Sequence, residues 1–188
     1  LRTARKPQRS TITILPSDIH FKRYEQRAER LVVFIVDASG SAAMARLAEA
    51  KGAVELLLAE AYARRDYVAL ISFRGASGNL MLPPTRSLVQ TKRRLAELPG
   101  GGGTPLAMGI KATAELAKKC VAHGKTPMIV ILTDGRANIA LDGTPDRARA
   151  MENAHQMARF IAGSNVRSIV MDVGNRPNQA LSHIAREM

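Results

Sequence analysis

The chain has 188 residues, 46% hydrophobic and 23% charged, enough to enclose one full core as a single domain. Its 28 Lys/Arg against 16 Asp/Glu give a net charge of +12, which suits an acidic partner: nucleic acid, an anionic membrane surface or an acidic protein segment. Aromatic residues reach only 4%, short of the stacking platforms a nucleic-acid reader favours, so no specific nucleic acid is expected, and the single cysteine excludes both an internal disulfide and a cysteine-based zinc site.

In chain order, residues 1–30 form a basic extension with eight Lys/Arg against three Asp/Glu. Within it, "TITIL" (11–15) alternates like an edge strand, and "HFKRYEQRAER" (20–30) reads as a charged helical lead-in. "LVVFIVD" (31–37) is a continuous apolar run rich in β-branched residues, as in a central parallel strand covered on both faces. A helix is predicted over 43–64, with Leu47, Val54, Leu58 and Ala61 on one face. "YVALISF" (67–73) is a second strand, and "RGASGN" turns the chain into "LMLPP", an edge partner where prolines are tolerated. A short basic helix over 87–98 and a glycine run at 100–103 follow. Thr104-Pro105 then reads as the cap and first turn of a helix that carries Leu106, Ile110, Thr113, Ala117 and Cys120 inward. "MIVILTD" (128–134) is another buried strand, and Thr144-Pro145 opens a helix closed by Gly163 near residue 162. "VRSIVMDVG" (166–174) is a further strand, and a last helix begins at Pro177.

Strands alternating with helices predict an α/β fold, a doubly wound, mostly parallel sheet with helices on both faces. Such sheets bind ligands beyond the carboxyl ends of their strands, where Asp37 and Asp134 both fall. The oxygen donors gathered there are Asp37, Ser39 and Ser41 on the first loop, Thr104 after the glycine run and Asp134. All are hard ligands, and the set suits Mg²⁺ or Mn²⁺ rather than Zn²⁺. Two carboxylates and three neutral hydroxyls leave positions for water or for an acidic side chain of another protein.

These residues resemble a known family. D-x-S-x-S at 37–41, Thr104 and T-D-G at 133–135 are similar to the metal-ion-dependent adhesion site of von Willebrand factor A (integrin I) domains, over about residues 31 to 186. The resemblance implies a domain over 31–188 with a Rossmann-like sheet. It also implies hydroxyl ligation by Ser39, Ser41 and Thr104, with Asp37 and Asp134 acting largely through coordinated water. "VVFIVDASGS", "AKGAVELLLAEAYARRDYVALISF", "LPPTRS" and "LPGGGGTPLAMG" further resemble the C-terminal domain of the magnesium chelatase D subunit family, which helps insert Mg²⁺ into protoporphyrin IX. Ala42 departs from the Met common there, beyond the ligand triplet. The family places an ATPase-like half and an acidic, proline-rich linker before this domain, which agrees with reading the chain, from Leu1 to Met188, as a piece of a longer one. The implied partners are the ATPase subunit and the porphyrin-binding catalytic subunit of the chelatase. No membrane-length apolar run or signal peptide is present, so a cytoplasmic or plastid-stromal setting is expected.

The same residues have plainer uses. Asp37, Ser39 and Ser41 suit helix capping after a strand, Thr104 suits an N-cap, and Asp134 before Gly135 suits a turn. The glycine run lacks the G-x-x-x-x-G-K-[ST] of a phosphate loop and is expected to let the Thr104 loop move. His20, His123, His155 and His183 lack ligand spacing, and Asp172 reads as a structural carboxylate. Arg74, Arg86 and Arg136 are expected at the site rim, where they would steer an acidic partner. No nucleophile–base pair is recognisable, so no chemistry is expected from the domain alone. The alternatives are an adhesion or scaffold module of another ATPase complex, and a Mg²⁺-dependent phosphatase. The latter wants a second aspartate where Ser39 stands.

Overall fold

A computed structural model describes residues 29–40 and 51–188. The expected strand at 11–15, the charged lead-in as far as residue 28, residues 43–50 of the first predicted helix, and Ser41 lie outside the described residues. Among the described residues the strands are β1 (Arg30–Asp37), β2 (Tyr67–Arg74), β3 (Ser77–Thr85), β4 (Thr126–Thr133) and β5 (Arg167–Asp172). They form one sheet in the order β3-β2-β1-β4-β5. β1 pairs in parallel with β2 and β4, β4 pairs in parallel with β5, and β3 returns antiparallel along β2.

The helices are α1 (Lys51–Ala63), α2 (Leu88–Ala96), α3 (Leu106–Ala122), α4 (Arg147–Ala162) and α5 (Gln179–Glu187). The two-residue period of β1 sends Leu31, Val33 and Ile35 to one face of the sheet. There they join Leu106 and Ile110 of α3, Ala150 and Ala154 of α4, and Ile184 of α5. Val32, Phe34 and Val36 go to the other face, against Val54 and Leu58 of α1 and Leu98 beyond α2. Both faces are covered, so the strand has no polar alternation. Side chains such as Phe34 and Ile35, 2% and 0% exposed, each contribute about 1.5–3 kcal/mol of burial. The doubly wound α/β sheet expected from the sequence is the one observed.

Pro83 and Pro84 lie in β3, at the sheet edge, where the pairing with β2 shifts register between Val68 and Ile71. An edge strand with such irregularities accommodates residues that cannot donate to the ladder. Two expected caps are corrected. Pro105 rather than Thr104 is the N-cap of α3, without a side-chain cap bond. Asp146 rather than Thr144 caps α4, accepting the Arg149 N–H at 3.1 Å, while the Thr144 hydroxyl turns to Asp142. Gly163 closes α4, β5 stops at Asp172, and Asn178 caps α5.

From β1 the chain winds first to β2 on one side and later to β4 on the other. The sheet therefore reverses its winding between β1 and β4, and the carboxyl ends of these two strands frame a crevice. Asp37 ends β1, and Asp134 follows Thr133, the last residue of β4.

Candidate metal centre

The loop after β1 folds onto its own carboxylate. Asp37 Oδ1 accepts the Ser39 N–H at 2.9 Å and the Ser39 hydroxyl at 2.5 Å, and Gly40 continues the turn at φ 70°. Asp37 Oδ2 accepts the Thr133 hydroxyl at 2.8 Å, and Thr133 Oγ1 accepts the Gly135 N–H at 3.0 Å. Ser39 Oγ lies 2.6 Å from Thr104 Oγ1. With the one Ser39 proton directed at Asp37, Thr104 is the donor in that pair. The hydroxyls therefore run in one direction, from Thr104 to Ser39 to Asp37.

Thr104 is held by Asn138, whose side-chain oxygen accepts the Thr104 N–H at 2.6 Å and whose own N–H reaches the Thr104 carbonyl at 3.1 Å. Asp134 Oδ1 accepts the Arg136 N–H at 3.0 Å, and Asn178 Nδ2 donates to the Asp134 carbonyl at 2.9 Å. The glycine run is stitched rather than loose. The Gly101 N–H reaches the Ala38 carbonyl at 2.9 Å, the Gly102 carbonyl accepts from Gly40 at 3.2 Å, and the Gly103 carbonyl accepts from Gly75 at 2.9 Å. At φ 90°, with the Gly75 nitrogen 3.1 Å from where a Cβ would stand, position 102 is suited to glycine.

Asp37, Ser39, Thr104 and Asp134 thus meet at the crevice, each 4–6% exposed. Ser41 lies outside the described residues. Burial is the main cause pushing the Asp37 carboxyl above its ordinary value, and the Asp134 charge adds to it, while hydrogen bonds from Ser39 and Thr133 pull the other way. Two nearly buried carboxylates with ordered hydroxyls form a negative, hard-oxygen pocket. Among the described residues, the exposed Arg136 places Nε 3.8 Å from Asp134 Oδ2. Among the described residues no three His, Cys, Asp or Glu gather as a metal group, so an ion here would rely on hydroxyls and water beside the two aspartates. That donor set fits Mg²⁺ or Mn²⁺.

The crevice opens into a cleft of about 600 Å³ lined by Ser39, Thr104, Asp134, Arg136, Asn138 and Arg147, among others. Of the expected rim arginines, Arg136 lies here and Arg74 borders a second cavity of about 480 Å³. Arg86 does not. β3 carries the chain back to the other end of the sheet, where Arg86 pairs with Glu29 at 2.7 Å and stacks 4.1 Å from the centre of the Tyr67 ring. Lys125 joins both Glu29 and the Tyr67 ring in that cluster.

Asn138 and Arg147 escaped the sequence reading, and Thr133 entered it only as the first residue of T-D-G, without a role of its own. Thr133 carries a local signal in its place directly before Asp134, whereas Asn138 and Arg147 carry none. Among the described residues no histidine lines the cleft, and His155 pairs with Glu187 at 2.7 Å. Asp172 accepts the Gly174 and Asn178 N–H groups at 2.8 and 2.9 Å, the structural use expected of it. Cys120 is buried. No described helix is long and apolar enough to cross a membrane.

Residues 32–137 match the von Willebrand factor type A domain family. The chain is 53% identical over 188 residues to the magnesium-chelatase 60 kDa subunit of Cereibacter sphaeroides, covering 100% of this chain and 34% of the relative. It spans about a third of the length of the curated relatives it matches. Among solved structures, the SpRpn10 VWA domain superposes with a TM-score of 0.64 at 15% identity, over 85% of this chain and 82% of that one. The manganese-loaded Plasmodium vivax TRAP protein superposes at 0.59 and 16% identity, over 84% and 62%. The fold, the matched segment and this relative agree, and the chain belongs to the von Willebrand factor type A domain family.

Proposed function

We propose that the chain is the metal-dependent protein-interaction domain of a magnesium chelatase D subunit. Mg²⁺, or Mn²⁺ in its place, would be held by Ser39, Ser41 and Thr104, with Asp37 and Asp134 acting largely through coordinated water. The convergence of Asp37, Ser39, Thr104 and Asp134, from three separate loops, on one crevice carries this reading. The kinship with a magnesium-chelatase subunit supports the choice of complex. A bound divalent cation supplies an electrophilic position for a carboxylate oxygen.

The chain's own residues shape that position. Thr133 and Ser39 hold the Asp37 carboxylate, Asn138 holds the Thr104 backbone, and the glycine stitches fix the wall between them. Such a domain docks an acidic side chain of the ATPase subunit or of the porphyrin-binding catalytic subunit. It would thereby support assembly and the ATP-driven insertion of Mg²⁺ into protoporphyrin IX, in the cytoplasm. The domain itself performs no bond chemistry.

The test is co-purification of the full D subunit with its ATPase partner, wild type against Ser39→Ala, followed by metal-insertion assays. Loss of assembly and insertion with an unchanged circular dichroism spectrum is expected. Assembly and insertion at wild-type levels in Ser39→Ala contradict the reading.

A further inference from the structure

We propose that the cleft is one part of a longer groove for an extended acidic peptide segment, one that carries carboxylates on both sides of the residue that reaches the metal. The inference rests on the metal reading above and adds the form of the ligand. Two cavities support it, of about 600 Å³ beside Arg136 and Arg147 and about 480 Å³ beside Arg74 and Asn79. Gly102 lines both, so the hollows adjoin across a stretch of backbone that carries no side chain.

Charge is arranged at the two ends of this groove. Arg74 stands at one end, and Arg136 and Arg147 at the other. Among the described residues neither Arg74 nor Arg147 forms an ion pair, while Arg149, in the same turn as Arg147, is matched by Asp142 at 2.7 Å. Arg147 is also the first residue of α4, whose first turn holds no acidic residue. The positive end of a helix disfavours a cation, so local helix stability does not explain this placement. It does add positive potential to the cleft wall. Guanidinium groups match carboxylates through paired N–H donors. Among the described residues the groove lining holds no aromatic ring, so they offer an oligonucleotide no stacking surface.

The test uses the protein in saturating Mn²⁺ and two capped pentapeptides. One is glycine with a single central glutamate; the other has glutamates at its first, third and fifth positions. Each added exposed ion pair contributes modestly, so the second peptide is expected to bind roughly tenfold more tightly by calorimetry. Arg74→Gln combined with Arg147→Gln is expected to erase most of that preference while the single-glutamate peptide still binds. Arg74→Gln alone is expected to leave Mn²⁺ binding as in the wild type.

Equal binding of the two peptides, a preference that survives in the double variant, or tighter binding of a mixed-sequence oligonucleotide each overturns the proposal. Mn²⁺ binding without peptide preference defeats the groove alone. No Mn²⁺ binding defeats the metal reading and the groove with it.

Discussion

Ser39 Oγ and Thr104 Oγ1 lie 2.6 Å apart although 65 positions separate them in the chain. The contact joins the loop after β1 to the turn before α3, and its direction is fixed because the Ser39 proton goes to Asp37. Thr104→Val keeps the shape of the side chain but removes the donor. We expect it to cost about 1 kcal/mol of stability and at least about tenfold in Mn²⁺ affinity. Thr104→Ser is expected to recover most of both. Calorimetric titration of the two variants checks this, and wild-type Mn²⁺ affinity in Thr104→Val contradicts it.

Thr133 is a support rather than a ligand. Its hydroxyl satisfies Asp37 Oδ2 and receives the Gly135 N–H, with its own residue 0% exposed. Thr133→Val leaves both groups without that partner, and a buried unsatisfied polar group costs about 1–3 kcal/mol. Urea denaturation is expected to show that loss with an unchanged slope. A midpoint equal to wild type contradicts the assignment.

How much was legible beforehand follows from the range of each interaction. The β1 run and D-x-S-x-S are local patterns, and a strand covered on both faces must read as continuous apolar sequence. Thr104 and Thr144 each precede a proline and satisfy the local rule for a cap. Yet each hydroxyl finds a partner outside the helix, Ser39 for the first and Asp142 for the second, and these contacts prevail. Asn138 acts on Thr104 from 34 positions away, which no spacing rule signals. Arg86 is near Arg74 in sequence but at the opposite end of the sheet, because the antiparallel β3 lies between them. The glycine run reads as slack in sequence, whereas its carbonyls and N–H groups are tied to the neighbouring loops.

The buried Asp37 carboxyl makes stability depend on pH in a definite direction. Its pKa is raised above the ordinary value of 3.8. The folded state therefore holds this proton to higher pH than the unfolded chain. The group's contribution is greatest below the unfolded value and is lost as pH rises through the raised one. Without metal, the stability of wild type relative to Asp37→Asn is expected to fall as pH rises from roughly 4 toward neutrality. Metal affinity is expected to run the other way, weakening as pH falls, because a bound ion would compete with the proton. Thermal melts of both proteins in chelator across that range check the first statement, and a pH-independent difference contradicts it.

The most direct measurement is a Mn²⁺ titration followed by electron paramagnetic resonance, on the wild type and on Ser39→Ala. One site is expected in the wild type and none of comparable affinity in the variant, with circular dichroism showing both folded. An equal signal from the two proteins, or no bound Mn²⁺ in the wild type, would mean that the hydroxyls of this crevice serve the loops alone.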